Sequence, residues 1–269
     1  MFKDFAESSV EPPSDVCKEC GTPKQIGCSH LTKLNNSEIS DTSVQIARER
    51  LLEPFHLPTH AEIMKAFPSY DDWHKFWEKN HIFELWNKEY ISALVDYLAD
   101  RVAKLGKLRI VEIGAGDGKL SRFIELVAQE KGLDADFEMI MPTDSNKWVL
   151  NDNISVVKES YEDAINIFRP NIVLSSWMPP GQDWTKTIRQ FDCVKEYILI
   201  GDCTNCGDLE QTWGNFNFEE PFHVDSFERE VLLDLHRLQI SRGDVFAHHN
   251  VLGTNKTHPY SWTVAFKRV

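Results

Sequence analysis

The spacing of hydrophobic positions changes near residue 107. Before it, Ile91, Leu94, Val95, Leu98, Val102 and Leu105 recur every three or four residues, forming one apolar stripe of a helix that Gly106 stops. Further upstream, Ser69 with Asp72 predicts a helix start ahead of Trp73, Phe76 and Trp77, and Phe83, Trp86 and Tyr90 continue the aromatic series. After it, short apolar runs alternate with striped segments. Arg109 to Ile113 reads as a strand, and Leu120, Phe123, Ile124 and Val127 read as one helix face ending at Gly132. Strands at Phe137 to Met141 and Ile154 to Lys158, a helix at Tyr161 to Phe168, and strands at Asn171 to Ser175 and Glu196 to Ile200 follow. Asp225 then opens a helix striped by Phe227, Val231, Leu232, Leu235 and Leu238, and two strands, Asp244 to Val251 and Trp262 to Phe266, close the chain as a hairpin. The alternation predicts an α/β fold with right-handed crossovers and a mostly parallel sheet.

The same pattern divides the chain into three regions: residues 1–36, a cysteine-containing tail or small module; 37–106, a helical N-terminal cap; and 107–269, the α/β domain. A chain of 269 residues buries one substantial core. Its 29 basic and 42 acidic residues leave a net charge of -13, which offers no footprint for a polyanion. Arg101, Lys104, Lys107 and Arg109 form only a short basic cluster, so nucleic acid is not an expected partner. No uncharged apolar stretch approaches a membrane span and the first eight residues hold no signal-peptide core. These features predict an intracellular, cytoplasmic protein, with the nucleus left open, no membrane partner, and nothing that sets an oligomeric state.

The chemistry concentrates where the first strand ends. Leu108-Arg109-Ile110-Val111-Glu112-Ile113-Gly114-Ala115-Gly116-Asp117-Gly118-Lys119-Leu120 is a strand breaking into three alternate glycines at the head of a helix. Such a turn lets the backbone approach a ligand closely while helix-start N–H groups point at it. A dinucleotide fingerprint would place its third glycine at position 119, which is lysine here. The form Glu112-x-Gly114-x-Gly116-x-Gly118 instead resembles motif I of the class I S-adenosylmethionine-dependent methyltransferases. An acid at that point suits a cationic ligand better than a pyrophosphate. The resemblance implies a Rossmann-like, seven-stranded, mostly parallel sheet completed by the C-terminal antiparallel hairpin. It also implies S-adenosylmethionine as cofactor, bound by Glu112, Gly114, Ala115, Gly116 and Gly118, with Glu112 near the cofactor's ammonium.

The resemblance extends to later loops. Asp144, with Ser145, stands at the end of the second strand, where the family holds the ribose hydroxyls; a turn aspartate is the plainer reading. Ser160 and Tyr161 fall where the family contacts adenine, although Ser160 equally suits a helix cap. After the fourth strand, Ser176-Trp177-Met178-Pro179-Pro180 is loosely similar to the Asp/Asn-Pro-Pro-aromatic motif of amine-modifying members. The acid or amide is replaced and the aromatic precedes the prolines, so the acceptor atom stays open. Trp177, as the acceptor-facing catalytic candidate, with Met178, Pro179, Trp86 and Tyr90 would line an acceptor site. The alternative is that the upstream aromatics fill the interface between extension and sheet. Cys17-x-x-Cys20 and Cys28-x-His30 supply four zinc-type ligands, loosely similar to half of a MYND-type finger, so zinc stands beside a simple reduced tail. Cys193, Cys203 and Cys206 read as buried thiols.

Together these residues predict a methyltransferase of the EC 2.1.1 type acting on a small molecule, an amine or aromatic compound among them, or on a protein side chain. Two other readings share the fold: a catalytically inactive interaction protein that kept the cofactor domain, and a nicotinamide-dependent oxidoreductase.

Overall fold

In the computed structural model, which describes residues 41–67, 70–145, 154–214, 217–218, 220–241 and 261–269, four helices precede the sheet. They are α1 (Asp41–Leu51), α2 (His60–Ala66), α3 (Tyr70–Asn80) and α4 (Lys88–Leu105). The chain then alternates through β1 (Leu108–Ile113), α5 (Lys119–Glu130), β2 (Phe137–Asp144), β3 (Val157–Lys158), α6 (Tyr161–Phe168), β4 (Ile172–Ser176), α7 (Thr185–Gln190), β5 (Glu196–Gly201) and α8 (Leu209–Trp213). It closes with β6 (His223–Val224), β7 (Phe227–Val231), α9 (Leu233–His236) and β8 (Trp262–Arg268).

The strands form one sheet in the order β3-β2-β1-β4-β5-β8-β7-β6. Strands β1 to β5 pair in parallel, and β8 runs antiparallel to both β5 and β7. This is the expected Rossmann-like arrangement with a C-terminal antiparallel part, in eight described strands rather than seven. Apolar positions on both faces of β1, β4 and β5 require a cover on each side. One face packs Leu108, Ile110, Ile172, Leu174 and Ile198 against α4 and α5. The other packs Val111, Ile113, Val173 and Leu199 against Ala164 and Ile165 of α6 and Ile188 of α7. Helices α1 to α3 build a separate cluster around Ile63, Phe67, Trp73 and Phe76, which Leu85 and Ile240 join. At the amino end of β5, buried Glu196 accepts from Arg101 Nε at 2.5 Å and from the Tyr97 hydroxyl, tying α4 to the sheet.

Two expectations are corrected. Residues 225–238 are not one helix: Asp225 sits in a turn at φ 52°, Phe227–Val231 is β7, and only Leu233–His236 is helical. Phe227 and Arg229 are buried while Glu228 and Glu230 are exposed, the two-residue period of a strand. A buried guanidinium disguises that period: Arg229 donates to the carbonyls of Trp213, Asn217 and Glu220 and lies over the rings of Phe218 and Phe222. The third strand shrinks to Val157–Lys158, paired only with Thr143 and Asp144. The strand expected at 244–251 and the Ser69 cap lie outside the described residues. Among the described residues no helix is long and apolar enough to cross a membrane.

Candidate functional site

Strands β2 and β3 lie to one side of β1, and β4 and β5 to the other. The loops leaving the carboxyl ends of β1 and β4 therefore diverge and open the crevice in which sheets of this kind bind ligands. The chain leaves β1 through Gly114, Gly116 and Gly118, with φ of 64°, 59° and 73°. At Gly114 a Cβ would also stand 2.9 Å from the Trp184 ring, so a side chain there meets both backbone strain and an indole.

The amides of this turn are held by the chain's own acids. Gly116 N–H donates to Asp144 Oδ2 at 3.1 Å, Lys119 N–H to Asp117 Oδ1 at 3.2 Å, and Ser121 N–H to Glu112 Oε2 at 3.1 Å. Ala115 N–H donates to the Thr143 carbonyl at 2.9 Å. Helix α5 has no side-chain N-cap, and these carboxylates take its place at the positive end of the helix dipole. Glu112 is 2% exposed and also accepts from the Ser121 hydroxyl at 2.6 Å. Burial pushes its carboxyl up to about 8, with the two Ser121 hydrogen bonds pulling the other way and Asp117 and Asp144 adding to the rise. Glu112 therefore braces the loop from beneath. Of the other two acids bonded to this turn, Asp144 is buried and Asp117 half-buried.

The other predicted positions divide between crevice and core. Ser145 is exposed just beyond β2, Ala115 is buried in the turn, and Ser176 ends β4 half-buried. Ser160 caps α6, accepting from Asp163 N–H at 3.1 Å, and the Tyr161 ring stacks on Trp184 at 5.1 Å. Trp177 holds φ 55°, a left-handed backbone unusual for a bulky residue. Its N–H donates to the Ile200 carbonyl at 2.8 Å and its indole N–H to Glu84 Oε2 at 2.9 Å. Met178 is buried beneath the loop and Pro179 is exposed. Tyr90 is enclosed in the core, its hydroxyl 2.8 Å from Thr263 Oγ1, with Trp86 packed against it at 5.6 Å. These two fill the interface between extension and sheet.

Sequence reasoning missed Ser121, Trp184 and Glu84. Ser121 lies nine residues from Glu112, which it bonds, and Trp184 seven residues from Trp177 in the same loop, whereas Glu84 is joined to Trp177 only by folding. Lys119 Nζ reaches back to the Leu52 carbonyl at 3.4 Å, setting the end of α1 beside the glycine turn. The loops between β1 and α5, β4 and α7, and β5 and α8 carry Asp117, Asp183, Asp202 and Asp208 and no Lys or Arg. Cys17, Cys20, Cys28 and His30 lie outside the described residues. Among the described residues no group of three or more His, Cys, Asp or Glu is placed to hold a metal; Cys203 and Cys206 are buried and Cys193 is half-buried.

No family model matches the chain and no curated protein sequence matches it. Among solved structures, the chain is similar to the CurJ carbon methyltransferase, with 12% identity over 90% of this chain and 70% of that one and a TM-score of 0.35. It is also similar to human N-acetylserotonin methyltransferase in complex with S-adenosylmethionine, with 11% identity over 84% of this chain and 66% of that one and a TM-score of 0.26.

Proposed function

We propose that this chain binds S-adenosylmethionine in the crevice between β1 and β4 and transfers its methyl group to a small molecule or a protein side chain. One observation carries the reading: the amides of the glycine turn are bonded to Asp144, Asp117 and Glu112. In a dinucleotide fold such amides hold a pyrophosphate. Here the carboxylates of Asp144 and Asp117 occupy that place, with Glu112 protonated behind them, and a second anion beside the two carboxylates would be repelled, whereas a sulfonium nucleoside would be attracted. This also argues against a nicotinamide cofactor.

When bound, the cofactor supplies an electrophilic methyl and a neutral thioether leaving group. The protein's work is then alignment and exclusion of water. Asp144 would hold the ribose hydroxyls while its Oδ2 keeps Gly116 in place. The turn from Gly114 to Gly118 would lie along the methionine part, and Tyr161 with Ser160 would border the base. Trp177, fixed by its two hydrogen bonds, would face the acceptor.

Calorimetry of the folded chain tests this. Heat with S-adenosylmethionine and with S-adenosylhomocysteine, none with NAD, and transfer of a labelled methyl to an extract fraction are expected. No heat with either sulfur nucleoside up to millimolar concentration would overturn the reading. Binding without any transfer would leave a non-catalytic interaction protein.

A further inference from the structure

Helices α1 and α3 both pack into the cluster around Phe67 and Trp73, yet they leave a cavity of about 200 Å³ between them, away from the glycine turn's crevice. Positions 45, 48 and 49 line it from α1 and positions 72, 75, 76 and 79 from α3, each set spaced by threes and fours as one side of a helix requires. Its apolar part is Phe76, which is buried, and Leu52, which is half-buried just past the end of α1. Lys75 and Lys79 stand exposed at its edge, one helical turn apart, with no ion-pair or hydrogen-bond partner among the described residues. The acids at the cavity are engaged. Asp72 lies 3.3 Å from Arg48 Nη2, and Glu49 Oε1 accepts from the Gln45 amide at 2.8 Å. Three cations therefore meet two acids here, in a chain whose net charge is -13.

We propose that this cavity binds a small organic anion with an apolar body, of the arylalkyl carboxylate class, its ring against Phe76 and Leu52 and its carboxylate between Lys75 and Lys79. An apolar cavity of about 150 Å³ takes a benzene ring, so the space here holds a ring with a short tail. Two ammonium groups give the carboxylate charge-assisted hydrogen bonds, and their alkyl stems can lie along the ring. A neutral compound of the same shape gains no such bonds, and inorganic phosphate leaves the apolar lining wet. Leu52 also gives its carbonyl to Lys119 Nζ at 3.4 Å, so the cavity borders the start of α5 from the cap side. This recognition is independent of the methyl-transfer reading.

Calorimetry on the full chain at pH 7.5 compares 3-phenylpropanoate with the neutral 3-phenylpropan-1-ol, with butanoate and with inorganic phosphate. The aryl acid should bind at least tenfold more tightly than each of the other three. Lys75→Gln and Lys79→Gln, at exposed helix positions, should each weaken it about threefold and together about tenfold, leaving the alcohol within twofold. Either single variant decides the matter if circular dichroism shows the double variant to be unfolded. Lys104→Gln, an exposed lysine of α4 outside the cavity, should change nothing. Equal binding of acid and alcohol, phosphate binding as tightly as the acid, no binding of the acid up to millimolar concentration, or a preference untouched by the lysine variants would overturn the proposal. Saturating S-adenosylhomocysteine should not displace the acid; displacement would put the acid in the crevice and overturn the proposal as well. Absence of heat with the sulfur nucleoside sinks only the methyl-transfer reading.

Discussion

Replacing Glu112 with Gln should change how stability depends on pH, because this carboxyl is buried beneath the glycine turn with hydrogen bonds from Ser121 as its support. Its folded value of about 8 lies above the ordinary 4.5, so the folded state holds the proton more tightly than the unfolded chain. The stabilisation this gives is fully present below about pH 4.5 and is lost as the pH rises through about 8. At 1.36 kcal/mol per pH unit the loss across that window is on the order of 5 kcal/mol. Gln cannot ionise, and its carbonyl still accepts from Ser121, while its extra N–H donors cost about 1–2 kcal/mol at every pH. Urea unfolding followed by tryptophan fluorescence at half-unit steps from pH 5 to 8.5 gives the difference between variant and parent. The variant should start slightly less stable and finish more stable, the difference rising by about 1.4 kcal/mol per pH unit from about pH 5 and levelling off near pH 8. A difference independent of pH would refute the claim that Glu112 is held protonated by burial.

Three further outcomes are expected. Gly114→Ala should lower stability by about 1–3 kcal/mol through positive φ and contact with Trp184; adding Trp184→Leu should restore part of that loss in urea unfolding, and strictly additive effects would deny the contact. Asp144→Asn retains an oxygen for the Gly116 amide, so the urea midpoint should barely move while calorimetry shows S-adenosylmethionine affinity falling at least tenfold. Arg101→Met removes the cation bonded to buried Glu196 and should cost about 3–5 kcal/mol, or about 6–20 °C in Tm for a chain of this size; Arg101→Met with Glu196→Leu should be more stable than Arg101→Met alone.

The elements easiest to read in the chain are those whose local pattern and tertiary role agree. Tyr161–Phe168 begins at a Ser cap, and the continuous apolar runs of β1, β4 and β5 have no other stable place than the middle of a covered sheet. β7 was illegible because its central inward position is Arg229, whose charge is met by three carbonyls supplied from elsewhere in the fold. The site divides in the same way. The glycine turn and Asp144 show in the sequence because backbone geometry demands glycine and the family pattern asks for an acid at that strand end. The Glu84–Trp177 bond spans 93 residues and has no local signature. Tyr90 looks like a pocket aromatic by composition, and only its bond to Thr263 reveals it as core.

The distribution of unfavourable features along the sheet supports placing function at the carboxyl edge. At the amino end of β5 the buried charge of Glu196 is answered by Arg101 and Tyr97, an arrangement that serves stability. At the opposite edge the chain tolerates three costs within a few residues. Glu112 is buried with no cation paired to it among the described residues. Trp177 sits in the left-handed region, at about 1–2 kcal/mol. Ser175, 2% exposed between Ile113 and Leu199, has a hydroxyl with no hydrogen-bond partner among the described residues. Each is avoidable by a single substitution: Gln at 112, Gly at 177, Ala at 175. Strain of this kind persists where the surrounding structure over-determines it, and it gathers where a ligand is handled. The Glu84 carboxylate and the Ile200 carbonyl fix Trp177 against its strain, so the indole arrives in one orientation at the end of β4. On the methyl-transfer reading proposed above, a ring held that way would guide an acceptor toward the methyl, which a relaxed loop carrying the same residue would not do.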